Sequence, residues 1–240
     1  MGVDLRLLFV SDIHMNLKGY KGTDESYAMI WLNELIDEIK PNVLLSAGDW
    51  DKDVTPNDFS IISSKVKLIT IYGNHENFNI IKDYSIKDGK VIKLDNITIS
   101  GINGLLKDKM PFLGKYDDEK NIIKSYLKEI SQKIKKHTNK LDIFISHQPP
   151  YLPEVYQGMV NDIYNQAILD FIMELRPRLY LNGHMKPCYS FYEFSSGTKY
   201  LRVDSSQSCK HFAIIDTENF EVKVYYDNKR NFEEILSFKF

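Results

Sequence analysis

The chain reads as an α/β protein made of two packed mixed β-sheets flanked by helices. Three observations lead there. From Leu5 to Tyr72, short β-branched apolar runs alternate with helical patterns in a β-α-β-α-β series, the mark of helices crossing over a parallel sheet. From Tyr189 to Tyr226 the pattern changes to short strands joined by Ser196-Gly197 and Thr217–Asn219, which predicts a second, more antiparallel sheet. No repeat, low-complexity tract or Pro/Gly-rich linker interrupts the 240 residues, so residues 1–240 are expected to form a single domain around a large core.

The elements follow in order. Leu5–Val10 is an apolar run of strand length. Thr23–Ile39 carries Ala28, Trp31, Leu32, Leu35, Ile36 and Ile39 at helical spacing. Thr23 or Asp24 can cap its start, and Pro41 stops it, because a residue before proline disfavours the α region. Strand Val43–Ala47 comes next. Thr55-Pro56 then opens a short helix with a capping hydroxyl and a proline in the first turn. Strand Val66–Tyr72 closes the series. Val91–Lys93 and Ile97–Ser100 flank Leu94-Asp95-Asn96 as a hairpin. Gly101–Tyr116 reads as an irregular loop over the site. Asp117–His137 is a long amphipathic helix, and strand Leu141–Ile145, helix Asp162–Leu175 and strand Arg178–Leu181 restore the alternation.

Composition narrows the function classes. With 31 basic and 33 acidic residues the net charge is −2, so the overall field does not favour nucleic acid. The Lys-rich stretch Lys133–Lys140 reads as a solvated helix end. No apolar run approaches the roughly 20 residues of a membrane helix, and the start lacks the basic and apolar regions of a signal peptide. A cytoplasmic protein is therefore expected. Its two cysteines, Cys188 and Cys209, are expected as thiols in a reducing compartment, with a disulfide reserved for a hyperthermophile source.

Five strand ends carry the chemistry: Asp12-Ile13-His14, Gly48-Asp49, Gly73-Asn74-His75-Glu76, Ser146-His147 and Gly183-His184. In open α/β sheets ligands collect outside the carboxyl ends of the strands, so these ends can converge on one site. Alone, Asp-x-His is commonly a surface or capping pair, and Gly-Asp a turn. Together they point to a metal centre, since His14, His75, His147 and His184, four of the six histidines, each follow a predicted strand. Asp12 and His14 are one residue apart and in a strand-like exit point the same way. Asp49 can bridge two cations, Asn74 offers an amide oxygen, and His147 and His184 offer imidazoles. Mixed oxygen and nitrogen donors suit Mn²⁺, Fe or Zn²⁺ better than Ca²⁺. His75, next to Asn74 but on the alternate side, suits acid or electrostatic duty with Glu76 or Asp51 orienting it. Tyr151, Tyr156 and Tyr164, in the loop after His147, are candidates for lining a substrate pocket.

This set resembles the calcineurin-like metallophosphoesterase superfamily, whose motifs run Asp-x-His, Gly-Asp, Gly-Asn-His-Asp/Glu, His and Gly-His-x-His. The match runs in order from Asp12 to His184. The resemblance implies a sandwich of two mixed sheets and two divalent metals. Asp12, His14 and Asp49 would hold metal one, and Asp49, Asn74, His147 and His184 metal two. One position departs: the family's second histidine, a ligand of metal one, is Lys186 here. His211 and Cys188 are the alternatives for that place. The mechanism expected is attack on phosphorus by a metal-bridging hydroxide, with His75 protonating or stabilising the leaving oxygen. A small phosphomonoester or phosphodiester is the expected substrate. A nuclease of the same superfamily and a weakly catalytic interaction module are the alternatives, the second kept open by Lys186.

Overall fold

A computed structural model describes residues 5–109 and 116–240. Among them, twelve strands make two six-stranded sheets. In the first, β1 (Arg6–Val10), β2 (Val43–Ser46) and β3 (Lys67–Thr70) run parallel. On the free edge of β1, β10 (His211–Asp216), β11 (Glu221–Asn228) and β12 (Asn231–Lys239) add antiparallel. In the second, β5 (Ile97–Ile102), β6 (Ile143–Ser146), β7 (Leu179–Asn182) and β9 (Lys199–Val203) are parallel, edged by antiparallel β4 (Ile92–Leu94) and β8 (Tyr189–Glu193). The expected class, two mixed sheets flanked by helices, is the one observed.

Period-two alternation builds the layers. Leu7 and Phe9 point inward and join Leu45, Ile69, Ile99, Ile145 and Leu181 in the core between the sheets. Leu8 and Val10 point outward onto α1 (Ala28–Ile39) and α2 (Pro56–Lys65), where Trp31, Leu32, Leu35 and Phe59 cover them. On the far face of the second sheet, α5 (Tyr116–Lys135) and α6 (Ile163–Leu175) cover Phe144, Tyr180 and Tyr200. Each fully buried side chain of this size contributes roughly 1.5–3 kcal/mol.

Several local expectations are corrected. The tail does not form its own sheet: β8 and β9 complete the second, and the remaining strands extend the first. Helix α1 starts at Ala28, and its N-cap Tyr27 makes no side-chain cap bond. Asp24 instead binds Ser26, while Thr23 pairs with Tyr20 across a tight turn. The cap of α2 is as read, with Thr55 and Asp58 in a reciprocal box. Asp162 caps α6 from just outside it. The stretch read as a loop from Gly101 to Tyr116 begins with the end of β5 and a short helix, α4 (Leu106–Lys109). Its residues 110–115 lie outside the described residues. A further short helix, α3 (Phe78–Ile81), was not expected. No helix of the described residues is long and apolar enough to cross a membrane.

The cysteines are also corrected. Cys188 and Cys209 form a disulfide across 21 residues. Antiparallel β8–β9 returns the chain so that the two Cα atoms lie 5.4 Å apart, a bridgeable spacing. The bond removes the free-thiol argument for a reducing compartment, and it removes Cys188 as a metal ligand.

Candidate metal centre

All five motifs lie where parallel strands end. Asp12, Asp49 and Asn74 follow β1, β2 and β3 in one sheet, and His147 and His184 follow β6 and β7 in the other. The loops zip together through their backbones. Asp12 N–H donates to the Gly48 carbonyl at 3.0 Å, His14 N–H to that of Asp49 at 2.9 Å, and Asp51 N–H to that of His75 at 2.8 Å. The second sheet is tied in by His184 N–H, 3.1 Å from each oxygen of Asp12.

The strand-like exit expected for Asp12-x-His14 is not what turns these side chains together. Asp12 has φ 56° and His14 φ 53°, and Asp49, Asp51 and His184 are left-handed as well, at 60°, 73° and 71°. Such backbone is costly for residues other than glycine and clusters at functional sites. Glycine serves the close approaches. A Cβ on Gly73 would meet Asp49 Oδ1 at 2.1 Å and His147 Cε1 at 2.7 Å, and one on Gly48 would meet Gly73 N at 2.3 Å.

Four donor atoms converge at the seam. His147 Nε2 lies 3.1 Å from Asn74 Oδ1, 3.2 Å from His184 Nδ1 and 3.3 Å from Asp49 Oδ2. His147 Nδ1 sits 2.8 Å from the Ala47 carbonyl, which accepts its proton and fixes the tautomer. Nε2 then offers its lone pair inward. A lone pair, an amide oxygen and a carboxylate facing one another repel unless a cation or a proton sits among them. The donor set therefore fits a divalent metal. A second group adjoins it, with His14 Nε2 3.8 Å from Asp12 Oδ1 and 3.8 Å from Asp49 Oδ2. The candidate ligand atoms of Asp12, His14 and Asp49 lie within 4.8 Å of one another, as do those of Asp49, His147 and His184. Asp49 belongs to both groups, and its other oxygen accepts from His75 N–H at 2.8 Å.

The charges respond to one another. Burial opposes a charge on His147, but the Asp49 carboxylate beside it pushes the imidazole up to about 9. Against its own burial, Asp49 is held below the usual carboxylate range by His147 and His14. Burial, and then the charge of His147, lower His184 to about 4. His14 is raised, against burial, by its hydrogen bond to Asp51, whose Oδ2 lies 3.3 Å from Nδ1.

His75 is exposed at the cluster's rim, edge-on to His14 with ring centroids 5.5 Å apart. Neither expected partner hydrogen-bonds its ring. Asp51 reaches His14. Glu76 accepts the N–H groups of Asp49 and Gly73 at 2.7 Å each and of Trp50 at 3.2 Å, and so cross-links the loops after β2 and β3. Burial, and then Asp49, push Glu76 up to about 8, opposed by those N–H groups. Of the loop tyrosines, Tyr156 is buried against Tyr200 and serves packing. Tyr164 lines a shallow groove on the far side of His184. His211 stacks on Tyr189 and bonds the Cys209 carbonyl, so it does not join the ligand groups.

Sequence reasoning missed Arg202. It is 1% exposed, bonds the Pro187 carbonyl, and reaches Asp204 at 3.2 Å and Asp12 at 3.9 Å. A signal was present: a basic residue within the apolar strand Tyr200-Leu201-Arg202-Val203 needs a buried partner. Tyr20, stacked on His14 at 4.0 Å, was also missed.

Two sheets of this topology, with Asp, Asn and His gathered at the strand ends, define a metallophosphoesterase class of fold and site. Residues 5–188 match the calcineurin-like phosphoesterase family, and the chain belongs to it. No curated protein sequence matches the chain. Among solved structures it is similar to a dimetal phosphatase from Danio rerio, at 10% identity over 99% of this chain and 98% of that one, TM-score 0.57. It is similar to the purple acid phosphatase PPD1 of yellow lupin, Lupinus luteus, at 12% identity, covering 99% of this chain and 54% of that one, TM-score 0.60. It is also similar to GAP50, the anchor in the inner membrane complex of Plasmodium, at 13% identity over 98% and 88%, TM-score 0.58.

Proposed function

We propose that residues 1–240 form one domain that hydrolyses a small phosphoester, a monoester or diester, with two divalent transition metals such as Mn, Fe or Zn. The observation that supports this most is the convergence of Asp49, Asn74 and His184 on His147 Nε2, four candidate ligand atoms at one point. These four would hold one cation, and Asp12, His14 and Asp49 the other. When bound, such ions lower the pKa of coordinated water and neutralise charge on the phosphoryl group. The chain's own residues do the rest. Asp49 links the two ligand groups through Oδ2, which faces both His14 and His147, while Oδ1 holds the His75 N–H. Glu76 fixes Asp49 by its backbone. Asp51 orients His14 through Nδ1, leaving Nε2 for ligation. His75, exposed at the rim of the cluster and held by its own N–H to Asp49, delivers a proton to the leaving oxygen.

The test is hydrolysis of a chromogenic phosphomonoester and phosphodiester by the Mn²⁺-loaded chain. His75→Ala should lower the rate by ~10²–10⁴-fold with metal content unchanged, and by less for nitrophenyl than for alkyl leaving groups. Equal loss on both leaving groups would sink the acid role. A second reading, an interaction module with little catalysis, is supported by Lys186 in the family's histidine position and by the fold's likeness to an anchor protein. Absence of turnover on every ester with both metal equivalents bound would favour it.

A further inference from the structure

The cluster opens on a cavity of about 380 Å³. Part of its wall is formed by the candidate ligands. Lys21, Lys186 and Arg202 line the same cavity with Ser206 and Ser208, and Arg202 adjoins the ligands, 3.9 Å from Asp12. Arg202 is buried and fixed by Pro187 and Asp204, and its Nε has no partner among the described residues. Lys21 and Lys186 are exposed and form no ion pair among the described residues; Lys21 Nζ rests over the Tyr20 ring at 4.7 Å. Besides the ligands Asp12 and Asp49, Asp204 is the one carboxylate lining this cavity among the described residues. Three cations against one carboxylate leave the wall with two uncompensated positive charges.

Those charges have no use in holding the metals. An ammonium has no lone pair while protonated, and a cation beside a dication is repelled. A single phosphoryl group at the ligands is already neutralised there. We infer, building on the phosphohydrolase reading, that the substrate carries a second phosphate, which Lys21 and Lys186 bind against the fixed charge of Arg202. The seryl hydroxyls of the wall offer donors to the same group. The site would then select molecules bearing two phosphates over simple monoesters.

The experiment compares propyl phosphate with propane-1,3-bisphosphate on the full chain, as a ratio of kcat/KM in Mn²⁺ and as a ratio of dissociation constants by calorimetry on the metal-free chain. The expected preference for the bisphosphate is about tenfold or more, as one charge-assisted contact would give. Lys186→Gln and Lys21→Gln, exposed positions where folding is not at stake, should each lower both ratios several-fold. A kcat/KM ratio near two, the statistical factor for two equivalent esters, overturns the inference, as does a preference that neither lysine variant moves. A binding preference that follows the lysines without turnover of either ester supports the wall and overturns the phosphohydrolase reading instead.

Discussion

Binding of the first metal should displace one proton, and that proton should come from His147. In the metal-free chain Nδ1 is engaged by the Ala47 carbonyl, so the titrating proton is on Nε2, where Asp49 stabilises it and raises the imidazole from 6.5 to about 9. His184, lowered to about 4, is already neutral at pH 7. A metal entering at pH 7 must therefore remove one proton against about two pH units. At about 1.4 kcal/mol per unit that is about 3 kcal/mol, or about 100-fold in affinity. Affinity should rise about tenfold per pH unit from near 7 towards 9 and then level. The sign for folding is opposite. A raised imidazole stabilises the metal-free fold fully below 6.5, and that contribution is lost as pH rises through about 9. The assay is calorimetry of the first Mn²⁺ equivalent in buffers of different ionisation enthalpy, which counts protons released. A His14→Gln, Glu76→Gln background removes the protons of the other raised histidine and of the raised carboxyl beside Asp49. About one proton at pH 7 and about half at pH 9 are expected. None at pH 7, or two, would refute the reasoning.

Three further outcomes follow from the packing. Glu76→Gln replaces a carboxylate serving three backbone N–H groups with an amide that has one acceptor oxygen, so denaturant unfolding should show a loss of about 2–3 kcal/mol. Trp31→Phe removes the 2.6 Å bond from Nε1 to the buried Asp227 and should cost about 1.5–3 kcal/mol, read the same way, with metal binding intact. Replacing Cys188 and Cys209 together by serine opens a cross-link spanning 21 residues and should destabilise by about 3 kcal/mol; an unchanged melting temperature on adding reductant to the parent chain would contradict this.

The central strands were legible because a continuous apolar run such as Leu5–Val10 marks a strand buried on both faces. Which of Leu7 and Phe9 or Leu8 and Val10 meets the other sheet was not, since all four are apolar and only the structure divides them. The residues that the motifs name do come together, but not by the expected backbone. A left-handed Asp12 or His14 leaves no trace in a one-dimensional pattern, since Asp and His are ordinary residues in turns. The partition of the tail was illegible for a related reason: alternation marks a strand but not the edge it joins. The disulfide depended on that partition, because only the β8–β9 return brings Cys188 to Cys209. Arg202 was legible in principle, as a charge within an apolar strand. Glu76 was misassigned because adjacency to His75 suggested a partner, whereas three backbone N–H groups claim its carboxylate.

The left-handed residues have a consequence for how this protein can change. Asp12, His14, Asp49, Asp51 and His184 all hold positive φ at one seam. At roughly 1 kcal/mol each, the set amounts to about 5 kcal/mol, comparable with the roughly 5–15 kcal/mol by which a whole domain is stable. Glycine at any of these positions would relax the backbone and delete a candidate ligand, or the group beside one. Selection for robustness alone would therefore erode this seam first. A lineage that abandoned chemistry while keeping the sandwich would be expected to show glycine or asparagine here before it showed any change in the core.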